Sequence, residues 1–438
     1  MTSNRFSFMR DTIEPMPIIS SHEHHLPDDV QEIMNLDRTL EQSYIGWYAG
    51  RRDGGSGASG EKDLLTRRRR KVKMYNLPDD NWSKDPAELA NERQQFLDRF
   101  GFNSYWVWLE KGIQKIYGVP EGITPENWED VSTRIAQKHA LPGSHLDMMR
   151  EHGGYLHAVQ DTYWDYSSDL GHPEFFSPAM RLDMFITCYN STVLDHDQNN
   201  PFQAYPRAPR ENFDDYLDFL RDLILSWRKR GAVAMKCAAA YERPLAFEET
   251  GRKTAVAIFG QPEGKVSPQE RLAYGNFMFH WFCELNRQLD IPFQIHTGLA
   301  EISGSEPMLF EPVIRRYPDI LFVLFHAGYP WYSQIAGLAH NYTNVAIDMV
   351  WAPIISTSAS IQALKEYIEV TPSSDLIGWG GDAWTSEESV GAALAWKYEV
   401  AEVLTEMLDS GYLNAKKAER LAEKLLYRNN AGIYGFEV

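Results

Sequence analysis

At 438 residues, 43% hydrophobic and 24% charged, the chain can bury a large core as one big domain or two ordinary ones, which excludes a disordered or fibrous protein. Its 43 Lys and Arg against 61 Asp and Glu give a formal net charge of −18, which speaks against nucleic-acid binding and mostly favours solubility. Three widely spaced cysteines, Cys188, Cys237 and Cys283, make neither a disulfide framework nor a Cys-rich zinc site, so a reduced, cytoplasmic setting is expected. The segment Met1–Pro17 carries Arg5, Arg10, Asp11 and Glu14 and lacks the apolar core of an export signal. No apolar run reaches the roughly 18 residues that a membrane span needs, so no membrane partner is expected.

In chain order, the first signal is Ile18-Ile19-Ser20-Ser21-His22-Glu23-His24-His25. A short apolar run leading into His-x-His reads as a strand, and its two-residue period turns His22 and His24 to one side. There they can grip one metal ion, or they are polar residues of a turn. From about residue 27 to 146 the pattern turns helical, over Asp28–Asn35, Pro86–Phe100, Asn103–Tyr117 and Pro125–His139, an insertion after the first strand. Its glycine-rich stretch 53–60 lacks the Gly-Lys-Ser/Thr ending of a phosphate loop and reads as a connector or a lid. The run Arg67–Lys71 reads as a solvated face or a subunit contact, and the Trp and Tyr content of the insertion suits a homo-oligomer.

From Gly154 a βα rhythm sets in. Strands are expected at Tyr155–Asp161, Met184–Tyr189, Ala232–Ala240, Pro292–His296, Leu321–His326, Val345–Val350 and Leu376–Gly380. The helices between them fall at Phe213–Arg230, Pro268–Leu289, Leu309–Arg316, Tyr332–His340 and Ala359–Val370. With the His-x-His strand this makes eight, and buried apolar strands alternating with helices imply parallel pairing in a closed TIM (β/α)8 barrel. The reading is thus a single α/β domain over 1–438, with a helical insertion and C-terminal helices. Of those, the helix after Asn414 carries an apolar stripe from Ala418 to Leu426.

Four later strands end in, or run into, residues able to bind a metal: Lys236, His296, His326 and Asp382. In such a barrel the C-terminal strand ends form the active-site rim. Each also has a bland reading. A histidine after a strand can be a hydrogen-bonded core residue, and Asp382 can cap the helix that begins near Ser386. Lys236 shares a face with Ala232, Ala234 and Ala238, where an unpaired ammonium is costly. It must reach solvent, pair with a carboxylate, or turn neutral and react with carbon dioxide. Trp331, Trp351, Trp379, Trp384 and Tyr329 at or after strand ends either stack on a substrate ring or cap the barrel.

These residues carry a resemblance. His22-x-His24, Lys236, His296, His326 and Asp382 together resemble the metal-ligand pattern of the amidohydrolase superfamily. Met235–Tyr241, Ile295–Gly298, Phe325–Pro330, Gly381–Ala383 and the ending Asn430–Gly435 are similar to its amidohydrolase-related branch, with nodulin- and FluG-type N-terminal domains. The resemblance implies one or two divalent ions, zinc foremost, with manganese, iron or nickel open. His22, His24 and Asp382 would hold one, His296 and His326 a second, and a carboxylated Lys236 would bridge them. It further implies a hydrolase that cleaves an amide, lactone or ester bond of a small carboxylated substrate with metal-activated hydroxide. Asp382 would move the proton, with His326 and Lys236 in the catalytic machinery, and Tyr241, Arg243, Trp331 and Trp384 would meet the substrate. An extra Glu242 ahead of Arg243 departs from the pattern. The alternative is a single-metal lyase, decarboxylase-like, or a uronate-isomerase-like enzyme, in which His326 moves protons and Lys236 stays an amine. The long insertion is similar to that of uronate isomerases, but their arginine motif is not evident. A third reading is a barrel without catalysis that serves as a scaffold.

Overall fold

The computed structural model describes residues 4–49 and 83–438, so the glycine-rich stretch 53–60 and the basic run 67–71 lie outside the described residues. Eight strands follow in chain order: β1 (Ile18–Glu23), β2 (Tyr155–Gln160), β3 (Phe176–Arg181), β4 (Ala234–Cys237), β5 (Phe293–Ile295), β6 (Phe322–Leu324), β7 (Val345–Asp348) and β8 (Ile377–Gly378). They form one sheet in that same order, and β3 to β8 pair parallel, with Lys236 opposite Arg181 on one side and Gln294 on the other. This is the expected α/β barrel, nearly closed, with helices in the connections.

One expected strand is misplaced. Met184–Tyr189 is not a strand: Met184 to Thr187 belong to a short helix, Asp183–Thr187, and the third strand lies upstream at Phe176–Arg181. The cause is visible in the side chains. Phe176-Ser177-Pro178-Ala179-Met180-Arg181 contains a proline, which cannot donate to a ladder and argues against a strand. Met184, Phe185 and Ile186 are fully apolar because the helical turn that carries them is buried.

The chain divides into two units, each with its own packing. The first comprises Met1–Ala158, Val350–Gln362 and Trp379–Arg428, and the second Val159–Met349, Ala363–Gly378 and Asn429–Val438. In the first, the inserted helix Ser104–Tyr117 packs on the long helix Ser386–Asp409. Asn103 caps its start by accepting from the Tyr105 N–H, and Gly118 ends it in the left-handed region at φ 66°. The two helices approach so closely that a Cβ on Gly112 would stand 2.9 Å from the Gly391 nitrogen, and one on Gly391 would stand 2.8 Å from the Trp108 carbonyl carbon. Beside this crossing the buried Glu387 accepts from Tyr117 Oη at 2.6 Å and pairs with His139 Nε2 at 2.8 Å.

In the second unit, the helix Phe213–Lys229 starts at Asn212, which accepts from the N–H groups of Asp214 and Asp215. It ends in Arg228 and Lys229, charges that suit the helix dipole. Pro268–Leu289 opens with a capping box of Ser267 and Glu270. Tyr434, from the chain's last helix, packs with Val159, Ala179 and Ala234, and its hydroxyl accepts from Gln294 Nε2 at 2.9 Å. Tyr434 of the Asn430–Gly435 motif therefore serves packing. Among the described residues no helix is long and apolar enough to cross a membrane.

Candidate metal centre

In the first unit, every residue of β1 is buried, and the chain after β8 runs alongside it. Ser21 N donates to Trp379 O, Asp382 N to His22 O and His24 N to Ala383 O, each at 2.9 Å. Gly380 allows this approach, since a Cβ there would sit 2.7 Å from the His22 nitrogen. Asp382 follows at φ 60°, a left-handed conformation that Asp tolerates better than most residues. Its carboxylate oxygen Oδ1 thereby lies 3.6 Å from His22 Nε2 and 3.3 Å from His24 Nε2, all three side chains buried. Asp382 does not cap the following helix; Thr385 does, accepting from the Glu388 N–H.

The other carboxylate oxygen of Asp382 accepts a short hydrogen bond from the Tyr44 hydroxyl. Tyr44 lies in the inserted helix Tyr44–Ala49; its N–H donates to Glu388 Oε1 at 2.7 Å, and its ring stacks on Trp351 at 4.7 Å. Trp384 stacks on His24, with ring centres 5.1 Å apart. Between the two histidines Glu23 is wholly buried, which pushes its carboxyl up to about 7 against the hydrogen bonds from Ser20, Ala383 and Tyr155. Two imidazoles and a carboxylate fit a divalent ion, because tetrahedral donors about 2.1 Å from a zinc ion stand roughly 3.4 Å from one another.

The second unit gathers the other expected residues. Lys236 on β4 is buried, its Nζ 3.6 Å from the centre of the Phe325 ring. His296 follows β5 directly, with Nε2 3.0 Å from the Leu299 carbonyl and Nδ1 2.8 Å from His326 Nε2. A carbonyl only accepts, so His296 carries its proton on Nε2 and the His326 Nε2–H donates to its Nδ1. Burial, with the nearby His326 and Lys236, holds His296 well below the usual imidazole range, so it is neutral. The loop geometry comes from the His296-Thr297-Gly298 motif. Thr297 Oγ1 donates to Phe325 O at 2.6 Å, and Gly298, at φ 84°, leaves room for the Tyr329 backbone. His326 and Ala327 adopt φ 65° and 50°, steadied by the Tyr367 hydroxyl on the Ala327 carbonyl.

Tyr241 lies between two imidazoles, with ring centres 4.4 Å from His296 and 5.3 Å from His196. Trp331 is half-buried, its N–H bound to Gly328 O at the start of Tyr332–Asn341. Arg243 is placed differently from a substrate-binding residue. Its guanidinium donates to the carbonyls of Pro244, Leu272 and Ala246 and to Asn276 Oδ1, over the Phe247 ring, so its donors serve the fold.

Arg181, at the end of β3, was not legible as a site residue. It binds Asp161 at 2.6 Å, Asp197 at 2.8 Å, and Asp183. Burial opposes its charge, but these carboxylates hold it well above the usual value. Against the same cost of burial, Asp197 and Glu242 push His196 up to about 10. Asp183, His196 and Asp197 lie close enough to hold a cation, and Arg181 supplies one already.

The buried histidines and aspartate at these strand ends are donors that could hold a metal ion. Residues 221–436 match the family model described as Amidohydrolase. A stretch of 149 residues is 29% identical to Protein fluG of Emericella nidulans, covering 33% of this chain and 17% of that protein. Solved structures with the same fold include uronate isomerase from Thermotoga maritima, at TM-score 0.72 and 16% identity over 99% of this chain and 98% of that one. Glucuronate isomerase from Caulobacter crescentus gives TM-score 0.72 and 17% identity over 99% and 94%. A Lactobacillus casei protein assigned as a metal-dependent hydrolase gives 0.64 and 14% over 98% and 97%. Over residues 221–436 the chain is thus similar to the amidohydrolase family, and the solved structures share its barrel fold.

Proposed function

We propose that this chain is a hydrolase that cleaves an amide, lactone or ester bond of a small carboxylated molecule, with a divalent ion, zinc foremost, held by His22, His24 and Asp382. His296, His326 and Lys236 are assigned to catalysis because they match the ligand pattern of the family that the chain resembles and lie at or beside C-terminal strand ends. Asp382 carries the reading: one oxygen faces both imidazoles while the other receives the Tyr44 hydroxyl, so a single carboxylate can hold an ion and handle a proton. When bound, the ion polarises a carbonyl and makes water more acidic. Tyr44 keeps Asp382 oriented by donating to its second oxygen. His296 is held in one tautomer by the Leu299 carbonyl and accepts the His326 Nε2–H on Nδ1, which orients His326, the residue assigned to proton transfer.

A second reading, an isomerase or lyase with one ion and a free Lys236, has its own support. Lys236 Nζ stands over the face of Phe325, which favours an ammonium and not an anionic carbamate. The discriminating experiment loads the chain with zinc or manganese, counts ions per chain, and screens small carboxylated amides, lactones and uronates in 18O-labelled water. The hydrolase puts one solvent oxygen into its product. Turnover with solvent-hydrogen exchange and no 18O uptake replaces it with the isomerase, and a chain that takes up no divalent ion and turns nothing over sinks both.

A further inference from the structure

Glu23, the last residue of β1, lies between His22 and His24, on the face opposite to theirs by the two-residue period. Its Oε1 accepts from the Gly381 N–H at 3.1 Å, Ser20 Oγ at 2.8 Å and Tyr155 Oη at 3.1 Å. Its Oε2 accepts from the Ala383 N–H at 3.0 Å and Ser389 Oγ at 3.3 Å. The two peptide N–H groups are those on either side of Asp382, so one carboxylate spans the turn that carries the aspartate. The fit is close: a Cβ on Gly381 would meet Glu23 Oε2 at 2.9 Å and Oε1 closer still. The glycine is the space that Glu23 occupies.

We infer that Glu23 is a positioning residue for the metal centre: its carboxylate clamps the N–H groups of Gly381 and Ala383, and so aims Asp382 at His22 and His24. The clamp works against a real tendency to relax. Asp382 holds φ 60°, a left-handed conformation that is strained for an L-residue and persists where neighbours over-determine it. Its own N–H is tied to His22 O, which fixes one point of the turn; the Glu23 bonds fix the two flanking peptides. Without them the turn keeps its bonds to His22 O, Ser20 Oγ and the His24 N–H but loses the one carboxylate that ties Gly381 to Ala383, and Oδ1 leaves the 3.3 to 3.6 Å spacing to the imidazoles. Isosteric Glu23→Gln gives one N–H of the turn a facing amide donor in place of an acceptor, which opposes the clamp without removing its bulk.

This inference rests on the proposed ion at His22, His24 and Asp382, and its test is binding of Co(II) alone, followed by chelator competition and by the visible absorption of the bound ion. Wild type, Glu23→Gln and Gly381→Ala are compared, with circular dichroism to confirm the fold. Gly381→Ala serves as the second route to the same site, because its Cβ displaces the carboxylate while leaving Glu23 in place. The expected result is a 10- to 100-fold weaker Co(II) affinity in both variants, the scale of losses seen when a partner that orients a metal ligand is removed, with an altered absorption band. A residue that only stabilises the fold would lower the melting temperature and leave the band of the folded protein unchanged. Affinity within threefold of wild type and an identical band, in whichever variant folds, overturn the role of Glu23 and leave the metal reading standing. A wild-type chain that takes up no Co(II) overturns both.

Discussion

Asp382→Asn isolates the charge of the candidate centre from its shape. Asparagine adopts the left-handed conformation at φ 60° at least as readily as aspartate, so the turn keeps its backbone. The Tyr44 hydroxyl can donate to an amide oxygen or accept from an amide nitrogen, so that contact survives either orientation. What disappears is the negative charge 3.3 and 3.6 Å from two imidazoles, together with the capacity to take up a proton. Loss of a positioned acid–base group is worth about 10²- to 10⁴-fold in turnover, and loss of an anionic ligand lowers metal affinity as well. The expected outcome is that drop in kcat, with a melting temperature within a few degrees of wild type. Asp382→Ala should add roughly 1 kcal/mol of destabilisation from the backbone. The measurements are steady-state rates, metal content and thermal unfolding on the same preparations. A rate within a few-fold of wild type in the fully folded Asn variant refutes the assignment of Asp382.

Further expectations follow from the packing around that site. Gly391→Ala places a Cβ 2.8 Å from the Trp108 carbonyl carbon, so the two helices must part; overpacking of this kind costs about 1–3 kcal/mol, against about 1 kcal/mol gained in helix propensity. A melting temperature at or above wild type would contradict the close crossing. Burial raises the Glu387 carboxyl, but His139 and the Tyr117 hydroxyl pull it below its ordinary value of 4.5. A depressed carboxylate contributes stability above its unfolded value and loses it as pH falls through the folded one. The gap in melting temperature between wild type and Glu387→Gln should therefore be widest above about pH 4.5 and close on acidification, and a gap constant down to pH 3 argues against the pair. Burial pulls Lys397 down to about 8 from 10.5, so the folded state disfavours its charge below pH 8 and regains stability between about 8 and 10.5. Lys397→Met should accordingly stabilise the fold at pH 7, by up to about 3 kcal/mol, with the gain fading by pH 10.5. The lost bond to Glu14 O makes that an upper bound, and a destabilised Met variant at neutral pH would show that this bond dominates.

The order of elements, the barrel and the strand ends that bear His22, His24, Lys236, His296, His326 and Asp382 were determined by the sequence alone. Strands buried on both faces must be short apolar runs, and a polar residue at such a run's end has to be satisfied there, which makes it conspicuous. The third strand escaped because Pro178 hides it and the buried turn at Met184–Ile186 imitates it. What joins residues hundreds of positions apart was decided only by the tertiary structure. Tyr44 reaches Asp382 from an inserted helix, and Glu23 holds the turn around it from the far side of β1. Arg243 turned inward to backbone carbonyls, and Arg181 found three carboxylates. Periodicity reports which face of its own element a side chain takes, whereas these partners were chosen by how separate segments pack, and no local pattern encodes that.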